Sequence, residues 1–239
     1  MNDKKYKILF LLILYSYLFP IGGIGLSGHT SINPVDMIEQ EGNLTLNLDS
    51  PGPNNGLGLF LYFDALPKDL ALEYEWKFYS MQSADVNMLL NIDGNQNQTH
   101  QESLSMFTKS QYFTIRKEII GVSIPFLAKA GLNFGLGYNE HNSLIPSIAL
   151  LKELVDNPNI NINDLFDSIK EEGVSNIKWS DMESFLTESS GIHLQAGIQG
   201  KIMTMNLFLN ARYTIIINNE SEINQKGFPS INLGLALGI

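Results

Sequence analysis

The 239-residue chain contains no cysteine. That excludes a disulfide framework, a thiolate metal site and a lipidated cysteine. Positive charge is scarce: 15 Lys and Arg stand against 25 Asp and Glu, and Arg116 and Arg212 are the only arginines. Acidic chains with dispersed lysines are poor nucleic-acid binders, because phosphate contacts need clustered positive charge. Charged residues of either sign reach only 17%, so the abundant Asn makes the polar surface largely uncharged. There is no phosphate loop, dinucleotide fingerprint or zinc spacing, and neither a cofactor nor a metal is expected. Nor is any apolar run long enough to cross a membrane as a helix, which takes about 20 residues.

The longest apolar run, Ile8 to Phe19, follows Lys4, Lys5 and Lys7 and precedes Pro20, Ile21, Gly22 and Gly23. A positive start, a short apolar core and small residues after it form the pattern of a secretory signal peptide. Residues 1–23 are therefore expected to be a signal peptide cleaved near Gly23. Their removal takes Asp3 from 25 acids and three lysines from 15 bases, leaving 24 against 12.

The remainder alternates with period two. Leu57, Leu59, Leu61 and Phe63 stand against Gly58, Phe60, Tyr62 and Asp64; Leu72, Tyr74, Trp76 and Phe78 against Glu73, Glu75 and Lys77. Similar rows run through 132–138, 194–198, 207–213 and 231–239. Strict alternation means antiparallel strands with one buried and one solvated face. A soluble sandwich and a membrane barrel share this signal. The residues opposite the apolar rows decide between them. Gly135, Gly137, Gly197, Gly234, Ala236 and Gly238 are too small for a soluble exterior, but suit the narrow interior of a small barrel. Segments of ten or eleven residues match a tilted strand crossing roughly 25 Å of hydrocarbon.

The expected fold is all-β, an antiparallel up-and-down transmembrane β-barrel. Its eight strands are read at 42–49, 56–65, 70–80, 111–126, 131–140, 192–201, 205–217 and 229–239. Segments 24–31 and 84–92 are further candidates, and both together would make ten. A change of phase in the fourth strand predicts a bulge near Lys117–Ile120. Short links at 66–69, 127–130 and 202–204 alternate with long ones at 50–56, 81–108, 141–190 and 218–228. One barrel end therefore carries short turns, the periplasmic end in such proteins, and the other carries long loops. Residues 24–239 form a single domain.

The 141–190 segment reads as a helical extracellular insertion over the barrel mouth. Ser143, Asn163 and Ser180 are candidate helix caps. Ile148, Leu151, Leu154 and Val155 make one apolar face, Leu165, Phe166 and Ile169 a second, and Met182, Phe185 and Leu186 a third.

Candidate chemistry is thin. Glu73, Glu75, Lys77, Lys201 and Arg212 form a polar cluster in the lumen, read as structural ion pairs because buried charges must pair. Glu140, His141 and His193, with Ser143 nearby, are a weak rim-site candidate, since they lack any nucleophile motif. The Asn-x-Ser/Thr triplets at Asn43, Asn97 and Asn219 arise easily in an Asn-rich chain.

These features together resemble the small β-barrel proteins of the Gram-negative outer membrane. The resemblance covers 42–140 and 191–239 and rests on pattern; no family of known activity matches. It implies outer-membrane localisation, with membrane lipid and the outer-membrane assembly machinery as partners. In such proteins the last strand usually ends in an aromatic residue read by that machinery, whereas this chain ends in Ile239. Three function classes follow: a non-enzymatic barrel with a structural or surface-interaction role, a binder or conduit for a small hydrophobic ligand with the insertion as lid, and a lipid-modifying rim enzyme.

Overall fold

The structure is a computed structural model, and it describes residues 22–32, 37–41, 44–48, 52–80, 82–92, 95–124, 128–144, 186–219 and 227–238. Among the described residues, eleven strands run in chain order: β1 (Gly22–Ile32), β2 (Met37–Glu41), β3 (Leu44–Leu48), β4 (Pro53–Leu66), β5 (Leu70–Tyr79), β6 (Gln82–Ile92), β7 (Asn95–Ile124), β8 (Ala128–Leu144), β9 (Leu186–Ile202), β10 (Met205–Asn219) and β11 (Gly227–Gly238). Eight of them close into an antiparallel barrel in the order β1-β4-β5-β7-β8-β9-β10-β11, and β11 returns to β1 through Gly23↔Gly238 to Ser31↔Ser230. Closure satisfies every strand edge within the barrel, the condition for crossing a bilayer with β-structure.

The strand count of eight agrees with the sequence reading, but one member differs. Residues 24–31 are in the barrel as β1, whereas 42–49 and 84–92 are not. Those two segments lie in β3 and β6, which pair with each other and continue the wall past the barrel rim. β5 and β6 lie one after the other along the same 30-residue strand β7: Phe78↔Lys109 in the barrel is followed by Gln82↔Met106 above it. β3 lies beside β6, and β2 beside β3. A four-stranded rim sheet, β2-β3-β6-β7, thus rises from the barrel wall. The period-two signal of 42–49 is genuine, but the Pro51-Gly52-Pro53 break parts it from β4. The long links 50–56 and 81–108 are therefore largely strand.

The expected bulge is present as a register shift between Glu118 and Ile120. The insertion is shorter than expected, because 141–144 belong to β8 and 186–190 to β9. Ser143 is accordingly no helix cap; its hydroxyl lies 3.0 Å from that of Thr108. The expected helices over 145–185, like residues 1–21 of the expected leader, lie outside the described residues; Gly22 and Gly23 belong to β1.

Short connections gather at one end. Residues 67–69 form a single 3-10 turn, and Met203–Thr204 join β9 to β10. Met203 takes a φ of 52°, in the left-handed region that a tight hairpin demands. The Gly238 amide donates to the Thr204 carbonyl at 2.7 Å, tying the last strand to this turn.

The outer wall carries Leu26, Leu57, Leu136, Leu209, Leu233 and their neighbours, all exposed. The inner wall is polar. Toward the long-link end the outer wall carries the aromatic Phe78, Tyr138 and Tyr213, residues suited to the water–lipid boundary, with Ile217 exposed beyond Tyr213. Lysine at the exposed mid-wall position Leu209 should destabilise the folded barrel by about 2–4 kcal/mol in bilayers, the midplane cost. Asn55→Lys, at the exposed upper end of β4, should change stability by less than about 0.5 kcal/mol, as for an ordinary surface site. Equal costs in denaturant unfolding would contradict a hydrocarbon boundary between the two.

Candidate functional site

The lumen concentrates the protein's chemistry. β5 projects Glu73, Glu75 and Lys77 inward because its alternation sends Leu72, Tyr74 and Trp76 to the outer side. Parity along β7 and β10 brings Tyr112, Thr114, Arg116 and Arg212 to meet them; all are buried. Three cations, Lys77, Arg116 and Arg212, meet three carboxylates, Asp64, Glu73 and Glu75.

Glu75 sits between two cations. Its carboxylate lies 3.3 Å from Lys77 Nζ and accepts a closer contact from the Arg212 guanidinium. Lys77 also donates to Asn232, and Arg212 Nε donates to Gln195 Oε1 at 3.0 Å. Both cations lie over the Tyr112 ring, Lys77 Nζ at 4.6 Å and the Arg212 guanidinium carbon at 4.2 Å from its centroid. Such contacts gain strength when the cation is desolvated.

A second cluster lies nearer the short-turn end. Arg116 meets Glu73 at 2.8 Å and Asp64 at 2.5 Å and donates to Gln199 at 2.6 Å. Gln195 donates to Glu73 at 3.0 Å and joins the two clusters. Gln199 donates to Asn206 at 3.1 Å, and Asn206 to the Tyr62 hydroxyl at 2.7 Å. Among these, Lys77–Asn232, Glu75–Arg212 and Asn206–Tyr62 cross the lumen between strands that are not neighbours in the sheet.

Aromatic residues fill the remaining width. Phe60, Tyr62, Phe208 and Ala236 form an apolar cluster, with the Phe60 and Phe208 rings edge to face at 5.2 Å. The inward glycines are the sockets for these groups. A Cβ on Gly234 would lie 2.9 Å from the Phe60 ring, and one on Gly137 would lie 2.7 Å from the His193 ring. The glycines therefore admit large neighbours and do not leave a channel. Among the described residues, the void beside Ser27, Glu75 and Asn232 is about 10 Å³, room for one water at most.

The expected site residues separate. Glu73, Glu75, Lys77 and Arg212 share the network above. Lys201 is half-buried at the short-turn mouth, opposite Lys129 in the β8–β9 register and apart from the Glu75 pair. The rim triad does not assemble. His141 and His193 are buried on the inner wall, whereas Glu140 is exposed on the outer one, as alternation from His141 requires. His141 Nδ1 lies 2.6 Å from Ser110 Oγ and its Nε2 2.8 Å from the Asn139 amide; His193 Nε2 lies 2.9 Å from Thr114 Oγ1. Both imidazoles pack edge-on against Tyr112. No metal-binding group of three acidic or histidine side chains occurs among the described residues.

Sequence reasoning missed Asp64, Tyr112, Arg116, Gln195 and Asn232. A signal for Arg116 was present, because Phe113 and Ile115 face outward and position 116 has the opposite parity.

No family model matches the chain, and no curated protein does. Among solved structures it is similar to Neisserial surface protein A, at 11% identity over 91% of this chain and 96% of that one, TM-score 0.44. It is also similar to Ail, the attachment invasion locus protein of Yersinia pestis, at 8% identity over 91% and 97%, TM-score 0.37. Ail in complex with the heparin analogue sucrose octasulfate aligns at 11% identity over 91% and 99%, TM-score 0.34. The barrel assignment rests on this chain's own strand order and register.

Removing the Glu75 carboxylate strands two buried cations. Glu75→Ala should cost about 3–5 kcal/mol, the range for breaking a buried pair. Glu73→Ala should cost less, since Arg116 keeps Asp64. Denaturant unfolding of folded protein in lipid checks the order, and a larger loss for Glu73→Ala would contradict the geometry.

Proposed function

We propose that the protein is a non-enzymatic outer-membrane β-barrel of a Gram-negative bacterium with a structural or surface-interaction role. The observation that carries this reading is the filled lumen. Ion pairs, amide contacts and aromatic rings occupy its cross-section, and the void beside Ser27, Glu75 and Asn232 is about 10 Å³. A barrel closed in this way offers its surroundings two surfaces, the outer wall and the ends. The wall suits lipid, because its exposed residues are Leu, Ile, Val and Phe. Interaction then belongs to the long-link end, where the rim sheet and 145–185 are attached.

In this reading the leader is cleaved near Gly23, the assembly machinery inserts the barrel, and the short turns lie in the periplasm. A conduit for a small hydrophobic ligand would need a path past Glu73, Glu75, Arg116 and Arg212, where the void beside Ser27, Glu75 and Asn232 is about 10 Å³; a larger cavity of about 590 Å³ lies at the short-turn end, beside Val122, Ile124, Ile202 and Met205. A lipid-modifying rim enzyme would need an accessible base and orienter, whereas His141 and His193 are buried and Glu140 faces away.

Membrane fractionation with heat-modifiable gel mobility tests the reading: the protein should partition with outer membranes and migrate faster unboiled than boiled. Planar bilayers should record no stable, large single-channel current. Recovery of a soluble monomer without detergent, or a steady open conductance, would overturn the proposal.

A further inference from the structure

The ring of strands is not level at its short-turn end. β5 begins at Leu70, opposite Lys117 of β7, whereas β7 runs on to Ile124. Over 118–124 its pairing among the described residues is with β8 alone, from Glu118↔Asn133 to Ile124↔Ala128. In an antiparallel ladder alternate residues turn their N–H and C=O groups to opposite neighbours. Every second residue of this stretch therefore directs its backbone groups into the lane that β5 leaves at Leu70. Exposure agrees. Ile119, Ile120 and Ile124 are exposed, Val122 is 71% exposed, and Gly121 and Ser123, which face the other way, are exposed as well. Higher on the same strand, where β5 lies alongside, Tyr112 and Thr114 are fully buried.

The stretch is nevertheless held as a strand. The Glu118 carboxylate lies over the Gly121–Gly131 pair, where a Cβ on Gly131 would come within 2.8 Å of it, and meets Lys129 Nζ at 2.7 Å. No proline, charged residue or further register shift interrupts 120–124. Those are the devices that ordinarily protect an edge from pairing.

We propose that the edge of β7 over 118–124 is a docking site for an extended segment of a periplasmic polypeptide, which adds a strand where β5 stops. Three constraints select this occupant. Lipid cannot hydrogen-bond the edge, and open sheet edges do not occur within the hydrocarbon, so the stretch lies beyond it on the short-turn side. A second upright copy is related by an axis along the membrane normal, whereas antiparallel pairing of two identical edges requires an axis perpendicular to the sheet and would invert one barrel. An added peptide strand satisfies the backbone, and its alternate side chains extend the apolar row of Ile120, Val122 and Ile124. Its other row falls beside Gly121 and Ser123, whose small side chains leave room. The proposal goes beyond the surface role of the long-link end, and it rests on the outer-membrane reading, which makes the short-turn end periplasmic.

The probe is a blocked peptide, Lys-Thr-Val-Thr-Val-Thr-Val-Thr-Lys, added to the full chain folded in lipid nanodiscs. The readout is amide hydrogen exchange along β7. Without peptide, every second amide of 119–124 should exchange at least tenfold faster than the amides of 111–116, at all protein concentrations. Saturating peptide should slow these amides at least tenfold and leave 111–116 unchanged. Two further peptides carry N-methyl groups either on the valines or on the threonines, which removes the donors of one edge or of the other. One form should lose the effect and the other keep it, since a single edge of the peptide meets β7. Slow exchange throughout 119–124 in the protein alone overturns the proposal: the edge is then covered by its own chain if the protection is independent of concentration, and by a second copy if it is not. Absence of any response to the unmodified peptide overturns it too. So do equal effects of the two methylated forms, which would mark apolar adhesion in place of strand pairing. Heat-dependent mobility is scored on the same sample. Its retention confines a negative result to the edge, and its loss overturns the barrel reading and this proposal with it.

Discussion

The arrangement hinges on one carboxylate. Glu75 lies between Lys77 and Arg212 in a space closed to solvent, and both cations rest on Tyr112. Two cations brought together in a low-dielectric interior repel each other strongly unless an anion separates them. With Glu75 present, each cation still has donors to spare. Lys77 uses one on Asn232, and Arg212 uses its Nε on Gln195. Those contacts carry the ion pair to β11 and β9, strands that backbone pairing does not join to β5. Side chains therefore brace the barrel across its width, while the backbone braces it around its circumference.

Barrel size sets the terms for that packing. Eight strands enclose only enough width for side chains, so each large inward group needs a small one opposite. Phe60 takes the space at Gly234, and His193 the space at Gly137. The same narrowness converts the histidines from candidate reactive groups into packing groups. His141 and His193 stand edge-on to Tyr112 and hydrogen-bond to the Ser110 and Thr114 hydroxyls of β7. Above this lumen the wall continues on the β7 side as the rim sheet β2-β3-β6-β7.

The medium outside the wall changes along its height. Lipid favours Leu57, Leu136 and Leu209 outward and Glu73, Glu75 and Arg212 inward. Above the barrel, on the rim sheet, the polar Asp85 is exposed. One strand, β7, passes through both regions without interruption. Its even residues face the lumen from Thr108 to Arg116, and the shift between Glu118 and Ile120 reverses that parity, so that Ile120, Val122 and Ile124 are exposed. Period-two patterning reports that a strand exists and which residues share a face. It does not report whether the apolar face meets lipid or protein.

That distinction separates what was legible in the sequence from what was not. Alternation, inward glycines and the sorting of short and long links were local properties, and they determined an antiparallel barrel of eight strands, the inward set Glu73, Glu75, Lys77 and Arg212, and the bulge near Glu118. Two things required the tertiary structure. One was membership of the barrel: Leu44, Leu46 and Leu48 alternate as well as Leu57, Leu59 and Leu61, but β1 closes the ring and β3 stands above it, because closure depends on pairing between residues more than 200 positions apart, such as Gly23 and Gly238. The other was the set of partners in the lumen. Arg116 with Asp64, Asn206 with Tyr62 and Tyr112 beneath Lys77 and Arg212 meet only when the sheet curls round, since strand spacing along the chain carries no information about which residues face each other across the lumen.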